Sequence, residues 1–273
     1  MKPIVPPSIY RTLETHMGRR TATRWLAQEG VLDLALKVAE RFDYTVQTGP
    51  FQGMRYTRSA VLSRHATPTL IGQYERQIYP ALMEMAKRVD LVIDIGHAEG
   101  YYAVGLARLG KRVIAFDADP HERRICEEMA HANHVAGRIS IRRWCDSDSL
   151  LDLSRGQRTL ILSDIDGGEL DLFTPAVIEG LSHCDLLVEL HGGTREENAP
   201  FVRRFRAAYQ VELIEQPAEP AGITAISFLG SNARRMATEY RPFQQWMIAR
   251  TKSGVRMEWE PELDAVVESG VLQ

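Results

Sequence analysis

Residues 90–120 read DLVIDIGHAEGYYAVGLARLGKRVIAFDADP, and the order of residue types along them decides the fold. An apolar run reaches Asp94, and Gly96 and Gly100 follow at once, so a buried strand breaks into a glycine-bearing turn. Tyr101 to Leu109 is rich in Ala, Leu and Val and reads as a helix, which Gly110 can stop in a left-handed conformation. Arg112 to Phe116 is a second short buried strand, followed by Asp117. Strand, glycine turn, helix, strand and acid in this order form a unit that holds nucleotide-like cofactors. Glycines let the backbone approach a ligand closely, and the helix start offers free N–H groups and a partial positive charge. Asp117, 21 residues after Gly96, is placed to accept hydrogen bonds from ribose hydroxyls.

The spacing is D-x-G-x-x-x-G rather than the G-x-G-x-x-G of dinucleotide dehydrogenases, with Ala98 where the middle glycine would stand. A nicotinamide enzyme and a βαβ unit without ligand are the competing readings. The stretch resembles motif I of class I S-adenosylmethionine-dependent methyltransferases, whose turn meets the methionyl end of the cofactor. The resemblance implies S-adenosylmethionine as cofactor, held at Asp94, Gly96, Ala98, Gly100 and Tyr101 in the turn and at Asp117 and Ala118 after the second strand. It also implies a doubly wound, seven-stranded α/β sheet.

The chain has 273 residues, enough for one large α/β domain with an appendage. With 44% hydrophobic and 25% charged residues the composition is that of a soluble globular protein. No apolar run approaches the length of a membrane span, and MKPIVPPSIY lacks the apolar core of a signal peptide, so a cytoplasmic protein without a membrane partner is expected. Cys126, Cys145 and Cys184 are far apart and not in C-x-x-C pairs, which suggests neither a disulfide framework nor a zinc cluster. The net charge of −3 argues against bulk nucleic-acid binding. Residues 1–66 nevertheless hold ten Lys and Arg against five Asp and Glu. That basic start suits an anionic substrate or partner, or is an ordinary solvated surface.

Residues 1–66 read as a small N-terminal cap: a proline-bearing start, two short helices broken at Gly30, and a loose hairpin over Tyr44–Thr57. Leu70 to Val89 is helical with an interruption near Pro80, and residues 67–233 form the cofactor-binding core. Past Asp117, Pro120–Val135 is a helix whose His131 and His134 are solvated or, less simply, a metal pair. Strands follow at Arg138–Trp144, Thr159–Ser163, Leu186–Leu190, Val211–Ile214 and Thr224–Phe228, with helices 169–183 and 195–209 between them. Asp146, after the third strand, either sits near the adenine amino group or caps the next turn. Residues 234–273 read as an aromatic, basic helix or lid with a loose end.

The fourth strand runs into Asp164-Ile165-Asp166-Gly167-Gly168-Glu169 and the fifth ends at Glu189-Leu190-His191. Ligands of such sheets bind at the carboxyl ends of the strands, so four acids and one histidine converge near the expected methyl group. Burying so many acids needs a reason. Part of it can be a capping box, with Asp166 as N-cap and Glu169 three residues on. The motifs ILSDIDGGELDLF and DLLVELHGG are similar to FkbM-type methyltransferases, as are GPFQGMRY, IGQYERQIYP and EYRPFQQW. Asp166 stands where that family usually has Glu. The resemblance covers about residues 50–250 and implies O-methylation of a small molecule, of the sugar or natural-product type.

A hydroxyl acceptor must lose a proton while acceptor, methyl and sulfur are aligned. A neutral His191, oriented by Glu189 or Asp164, is the expected general base, with a divalent ion held by the acids as the alternative. Asp164 faces both cofactor and acceptor on this reading, and Asp166 and Glu169 complete the candidate catalytic set. An RNA or protein methyltransferase and a non-catalytic cofactor-binding scaffold remain as other readings, and homo-oligomerisation is left open.

Overall fold

The computed structural model describes residues 30–63, 66–217, 219–239 and 243–252. Seven strands form one sheet in the order β3-β2-β1-β4-β5-β7-β6. They are β1 Leu91–Ile95, β2 Arg112–Phe116, β3 Ile139–Arg142, β4 Thr159–Ser163, β5 Asp185–Leu190, β6 Tyr209–Glu215 and β7 Gln245–Thr251. The first five pair in parallel, and β7 runs antiparallel to both β5 and β6. This is the seven-stranded Rossmann-like methyltransferase sheet that the motif implies. The strand order reverses between β1 and β4, which opens a crevice at their carboxyl ends.

Every residue of β1, β4 and β5 is buried, as in parallel strands covered on both faces. Two cores result. One face of the sheet (Val92, Leu160, Leu162) packs under helix α1 (Val31–Arg41) and the chain up to helix α4 (Tyr79–Ala86), with α2 (Arg58–Ser63) and α3 (Thr67–Leu70) between. Helix α5 (Tyr101–Arg108) and helix α6 (Pro120–Ala132) cover the same face further along. The other face (Ile93, Ile95, Ile161) meets α7 (Ser147–Ser154), α9 (Pro175–Gly180) and α10 (Arg195–Phe205), while α8 (Glu169–Leu172) follows β4. Val31, Ala35 and Val38 of α1 are fully buried in the first core, so this helix is part of the fold rather than a detachable cover.

The expected hairpin is present as a single bridge, Thr45 to Arg55. The helix over 70–89 is broken into α3, a 3₁₀ turn at Arg76–Ile78 and α4, because Glu75 takes a left-handed φ of 50°. The helices expected over 169–183 and 195–209 are shorter, as α8, α9 and α10. The seventh strand needs correction. Thr224–Phe228 lies in a 3₁₀ segment, Ile223–Asn232, that starts after Gly222 at φ 72° and kinks at Gly230, and Ile226 is its buried residue. The strand comes instead from the tail: Gln245 to Ala249 are all buried between β5 and β6. Arg250, which made the stretch look surface-borne, reaches out to Glu212 at 2.8 Å and Glu84 at 3.1 Å. The first helix expected before Gly30 and the chain beyond Lys252 lie outside the described residues.

Candidate functional site

The turn after β1 is fixed by packing. Gly96 has φ 88°, and a Cβ there would stand 1.8 Å from the carbonyl oxygen of Asp164, so only glycine lets β1 and β4 end side by side. Ala98, at φ 49°, holds a left-handed backbone that costs a side-chain-bearing residue about 1 kcal/mol. Its N–H donates to Asp117 Oδ2 at 3.0 Å, and Asp119 N–H donates to Asp117 Oδ1 at 2.8 Å. The carboxylate is thereby held at the end of β2, half-buried, with lone pairs to spare. Gly100, at φ 96°, starts α5, and Tyr101 begins its first turn. Ala118 is exposed beside Asp117.

A pocket opens at this point, lined by Asp94, Gly96, His97, Tyr101, Asp164 and Trp246 among others. Asp94 Oδ2, His97 Nε2 and Ser163 Oγ are buried there without hydrogen-bond partners, as a bound polar group would require. Together with the clamped Asp117 these atoms fit S-adenosylmethionine. Burial, then the charges of Asp164 and Asp117, push the Asp94 carboxyl up to about 7. Because its folded-state pKa lies above the ordinary 3.8, the carboxyl favours the folded chain at low pH and loses that contribution as pH rises through about 7. A cationic ligand beside it favours ionisation, so binding should release a proton near neutral pH and tighten as pH rises. Calorimetry in buffers of different ionisation enthalpy should show that release in the native protein and not in Asp94→Asn.

At the adjoining rim, His191 follows β5 and is surrounded by acids. Its Nε2 lies 3.2 Å from Asp164 Oδ1, 3.6 Å from Asp166 Oδ1 and 3.8 Å from Glu189 Oε2, and its Nδ1 lies 3.5 Å from Glu169 Oε2. The expected convergence is therefore present, but the expected neutral imidazole is not. Burial alone would lower its pKa; hydrogen bonding to Asp164 and Glu169 and the charges of Glu189 and Asp164 outweigh that and push it up to about 11. The surrounding acids thus favour the imidazolium over the neutral imidazole, and a rate limb at pH 6–7 from this residue is not expected. Donor atoms of Asp164, Asp166 and His191 lie within 4.8 Å of one another, as do those of Glu75, Asp164 and Glu189, so either set could hold a metal ion.

The capping box forms only in half. Glu169 accepts from Ile165 N–H at 2.7 Å and Gly167 N–H at 2.9 Å, whereas the position before α8 belongs to Gly168. Asp166 does not cap: its φ is 53° and its side chain is 95% exposed, turned toward His191. Asp146 accepts from Ser149 N–H at 2.8 Å as N-cap of α7, and hydrogen bonding from the Ser149 side chain, then from this N–H, lowers its pKa. His131 and His134 are exposed and belong to no cluster of ligand atoms among the described residues.

Besides His97 and Ser163 in the pocket, two residues beside the acids, Glu75 and Gln244, were not singled out in the sequence. Glu75 is fully buried and accepts from Tyr102 OH at 2.5 Å and from Gln244 Nε2 at 2.7 Å. The same amide donates to Glu189 Oε1 at 3.2 Å, while Gln77 Nε2 donates to its oxygen at 3.1 Å. Both residues lie in stretches, IGQYERQIYP and EYRPFQQW, that carried the family likeness, which was the available signal. Their meeting depends on β7 entering the sheet beside β5, where Trp246 pairs with Glu189.

A sheet of this order with a glycine turn, a clamped acid after β2 and an acidic rim after β4 and β5 defines the class I methyltransferase fold. No family model matches the chain. The chain is 32% identical over 112 residues to ribosomal protein L11 methyltransferase of Pelotomaculum thermopropionicum, a match covering 41% of this chain and 34% of that one. It thus spans about a third of the curated relative's length. Among solved structures, precorrin-6Y C5,15-methyltransferase of Geobacter metallireducens matches at 17% identity and TM-score 0.44, over 65% of this chain and 88% of that one. Human methyltransferase 10 domain containing protein matches at 13% and 0.47, over 82% and 98%. An rRNA methylase of Streptococcus thermophilus matches at 14% and 0.44, over 65% and 98%. No helix among the described residues is long and apolar enough to cross a membrane.

Proposed function

We propose that the chain is an S-adenosylmethionine-dependent methyltransferase of FkbM-like type that methylates a hydroxyl of a small molecule in the cytoplasm. The observation that carries this reading is the juxtaposition of the Asp94–Tyr101 turn and clamped Asp117 with the acid–histidine rim of Asp164 and His191. S-adenosylmethionine supplies an activated methyl group on a sulfonium. Asp117 binds ribose hydroxyls, the turn from Asp94 to Tyr101 takes the methionyl end, and Ala118 and Asp146 flank the adenine. Asp164, 24% exposed and facing the pocket, takes the acceptor's proton. His191, fixed as a cation between Asp164, Asp166, Glu169 and Glu189, orients that carboxylate and keeps the acids together. Trp246 and Leu162, buried beside Asp164 in the pocket lining, keep water from that side of it.

The second reading rests on the ligand atoms of Asp164, Asp166 and His191, which are close enough for one divalent ion. His191 would then be neutral and bound, and the ion would lower the acceptor's pKa. Chelator separates the two: activity that persists in it leaves the carboxylate, and activity restored by magnesium or manganese selects the ion.

Incubation with methyl-labelled S-adenosylmethionine and fractionated cell extract tests the acceptor class. Label in small molecules supports the proposal; label in RNA or protein, the latter as in the relative named for ribosomal protein L11, overturns its finer part. Absence of any transfer leaves a binding scaffold. Asp117→Ala should weaken cofactor binding by about 1.5–3 kcal/mol in calorimetry, the loss of hydrogen bonds to a charged group; unchanged affinity would remove the ribose assignment.

A further inference from the structure

Strand β3 ends one side of the sheet and pairs only with β2, so the outward N–H and C=O groups of Ile139–Arg142 face no other strand among the described residues. A groove of about 440 Å³ runs along this edge, lined by Ile139 and Ile141 of β3 and by Ala130 and His131 of α6. Residues 136–144, AGRISIRRW, carry three arginines and no acid. We infer that this edge is an interface between copies of the chain, and that it takes residues 257–265 of a second copy as an added strand. The inference is independent of the methyltransfer reading.

The charge of the edge is uncompensated among the described residues. Arg138 donates to the carbonyl of Gly110 at 3.1 Å, Arg142 donates to Ser140 Oγ at 3.4 Å and lies over the Phe116 ring, and Arg143 is exposed. None of the three forms an ion pair there, whereas Arg88, Arg155 and Arg250 elsewhere on the surface lie 2.7–2.8 Å from an acid. Trp144, beside them, is 69% exposed. An edge strand that bears arginine repels a second basic edge and admits an acidic one, so two β3 edges do not pair. The opposite edge of the sheet is not the complement either, because Glu212 and Glu215 of β6 are bonded to Arg250 and Arg195.

Residues 257–268, MEWEPELDAVVE, lie outside the described residues, and their sequence has the matching chemistry. They hold five acids and no Lys or Arg, and from Met257 to Ala265 acids alternate with apolar residues. That is the period-2 pattern of a strand with one apolar and one charged face. Placed beside β3, Met257, Trp259 and Leu263 cover Ile139 and Ile141 in the groove, and the acids share the other face with Ser140 and Arg142. Pro261 lacks an N–H, which an edge strand tolerates. Reach assigns the segment to a second copy. Strand β7 ends at Thr251 beside the amino end of β5, six strand spacings of about 4.7–4.9 Å from the position beyond β3, roughly 29 Å in all. The seven residues from Lys252 to Trp259 extend at most about 25 Å, so Trp259 of the same chain falls short even along a straight line. Two copies that exchange the segment reciprocally form a closed dimer.

Sedimentation velocity across a dilution series tests this, on the full chain, on a chain ending at Lys252, which keeps β7, and on the full chain with Arg142→Glu and Arg143→Glu. The full chain should dimerise, the shortened chain should be monomeric, and charge reversal should weaken dimerisation by at least about tenfold, as like charges placed across an interface do. Adding Glu258→Lys and Glu260→Lys to the reversed chain exchanges the charges on both sides and should restore the dimer, which a damaged fold would not allow. A synthetic peptide of residues 255–268 in excess should dissociate the full-chain dimer, a readout that holds even where the shortened chain fails to fold. A full chain that stays monomeric, or a dimer unchanged by shortening, by charge reversal and by the peptide, would overturn the inference. So would a single-stranded oligonucleotide that binds through Arg142 and Arg143 while the peptide does not, which would assign the edge to nucleic acid.

Discussion

A chain ending at Thr238 is expected not to fold, although the residues removed lie beyond everything that forms the cofactor turn. Such a chain loses β7, which lies between β5 and β6 and is the strand that pairs with β6. Trp246, Met247 and Ile248 are almost wholly buried, and each contributes about 1.5–3 kcal/mol by burial. Their sum approaches the roughly 5–15 kcal/mol of an entire domain's stability, before the loss of hydrogen bonds on two strand edges. The truncation would also uncover Glu189 and Glu75, which share the amide of Gln244. Circular dichroism and gel filtration should show an unfolded or aggregated product. A compact truncated protein that still binds cofactor would mean that the tail is a cover after all.

This expectation reverses what the sequence suggested, and the reason is physical. QWMIART carries aromatic and basic residues together, a combination usual on exposed amphipathic surface, and its burial on both faces follows from strands it meets far away in sequence. ITAISF, by contrast, has the β-branched and aromatic residues of a strand but is bracketed by Gly222 and Gly230, whose positive φ values turn the chain too tightly for one. Local pattern was sufficient where the strand is surrounded by its own unit. Strand β2 and the start of α5 agree with it to the residue, because apolar runs, glycines and acids follow each other within about thirty residues of the chain, and β4 agrees where a short apolar run ends in Asp164.

The site divides in the same way. The geometry of the turn was legible because one continuous motif supplies Asp94, Gly96, Ala98, Gly100 and Asp117, and the close approach of the Asp164 carbonyl to Gly96 fixes its shape. On the acceptor side the acids were visible, but their electrostatics were not. A histidine alone has no address; one imidazole among Asp164, Asp166, Glu169 and Glu189 is a cation. Glu75 and Gln244 were illegible as a pair, since 169 residues separate them and only the insertion of β7 brings them together.

His191→Ala should therefore damage both stability and turnover. The substitution leaves Asp164, Glu169 and Glu189 facing each other without their shared cation, a situation that costs about 3–5 kcal/mol when one partner of a buried pair is removed. The sign with pH is fixed by the raised folded-state pKa. The stabilisation is fully present below the ordinary value of 6.5 and is lost as pH rises through about 11, so the native protein retains most of it at neutral pH. At acidic pH the carboxylates of the variant take up protons and the deficit narrows. Denaturant titrations at several pH values should thus show the largest gap between native and variant above the carboxylate range and below about 11. Turnover should fall by about 10²–10⁴-fold, the usual contribution of a positioned proton-transfer apparatus, while cofactor affinity stays close to native. His191→Lys, which keeps the positive charge, should recover much of the stability and little of the turnover, because an ammonium cannot reproduce the planar placement of Nε2 and Nδ1 between Asp164 and Glu169. Native stability and native turnover in His191→Ala would show that the acids are held apart by something other than this imidazolium, and Asp164 would then lose its role as the group that takes the acceptor's proton.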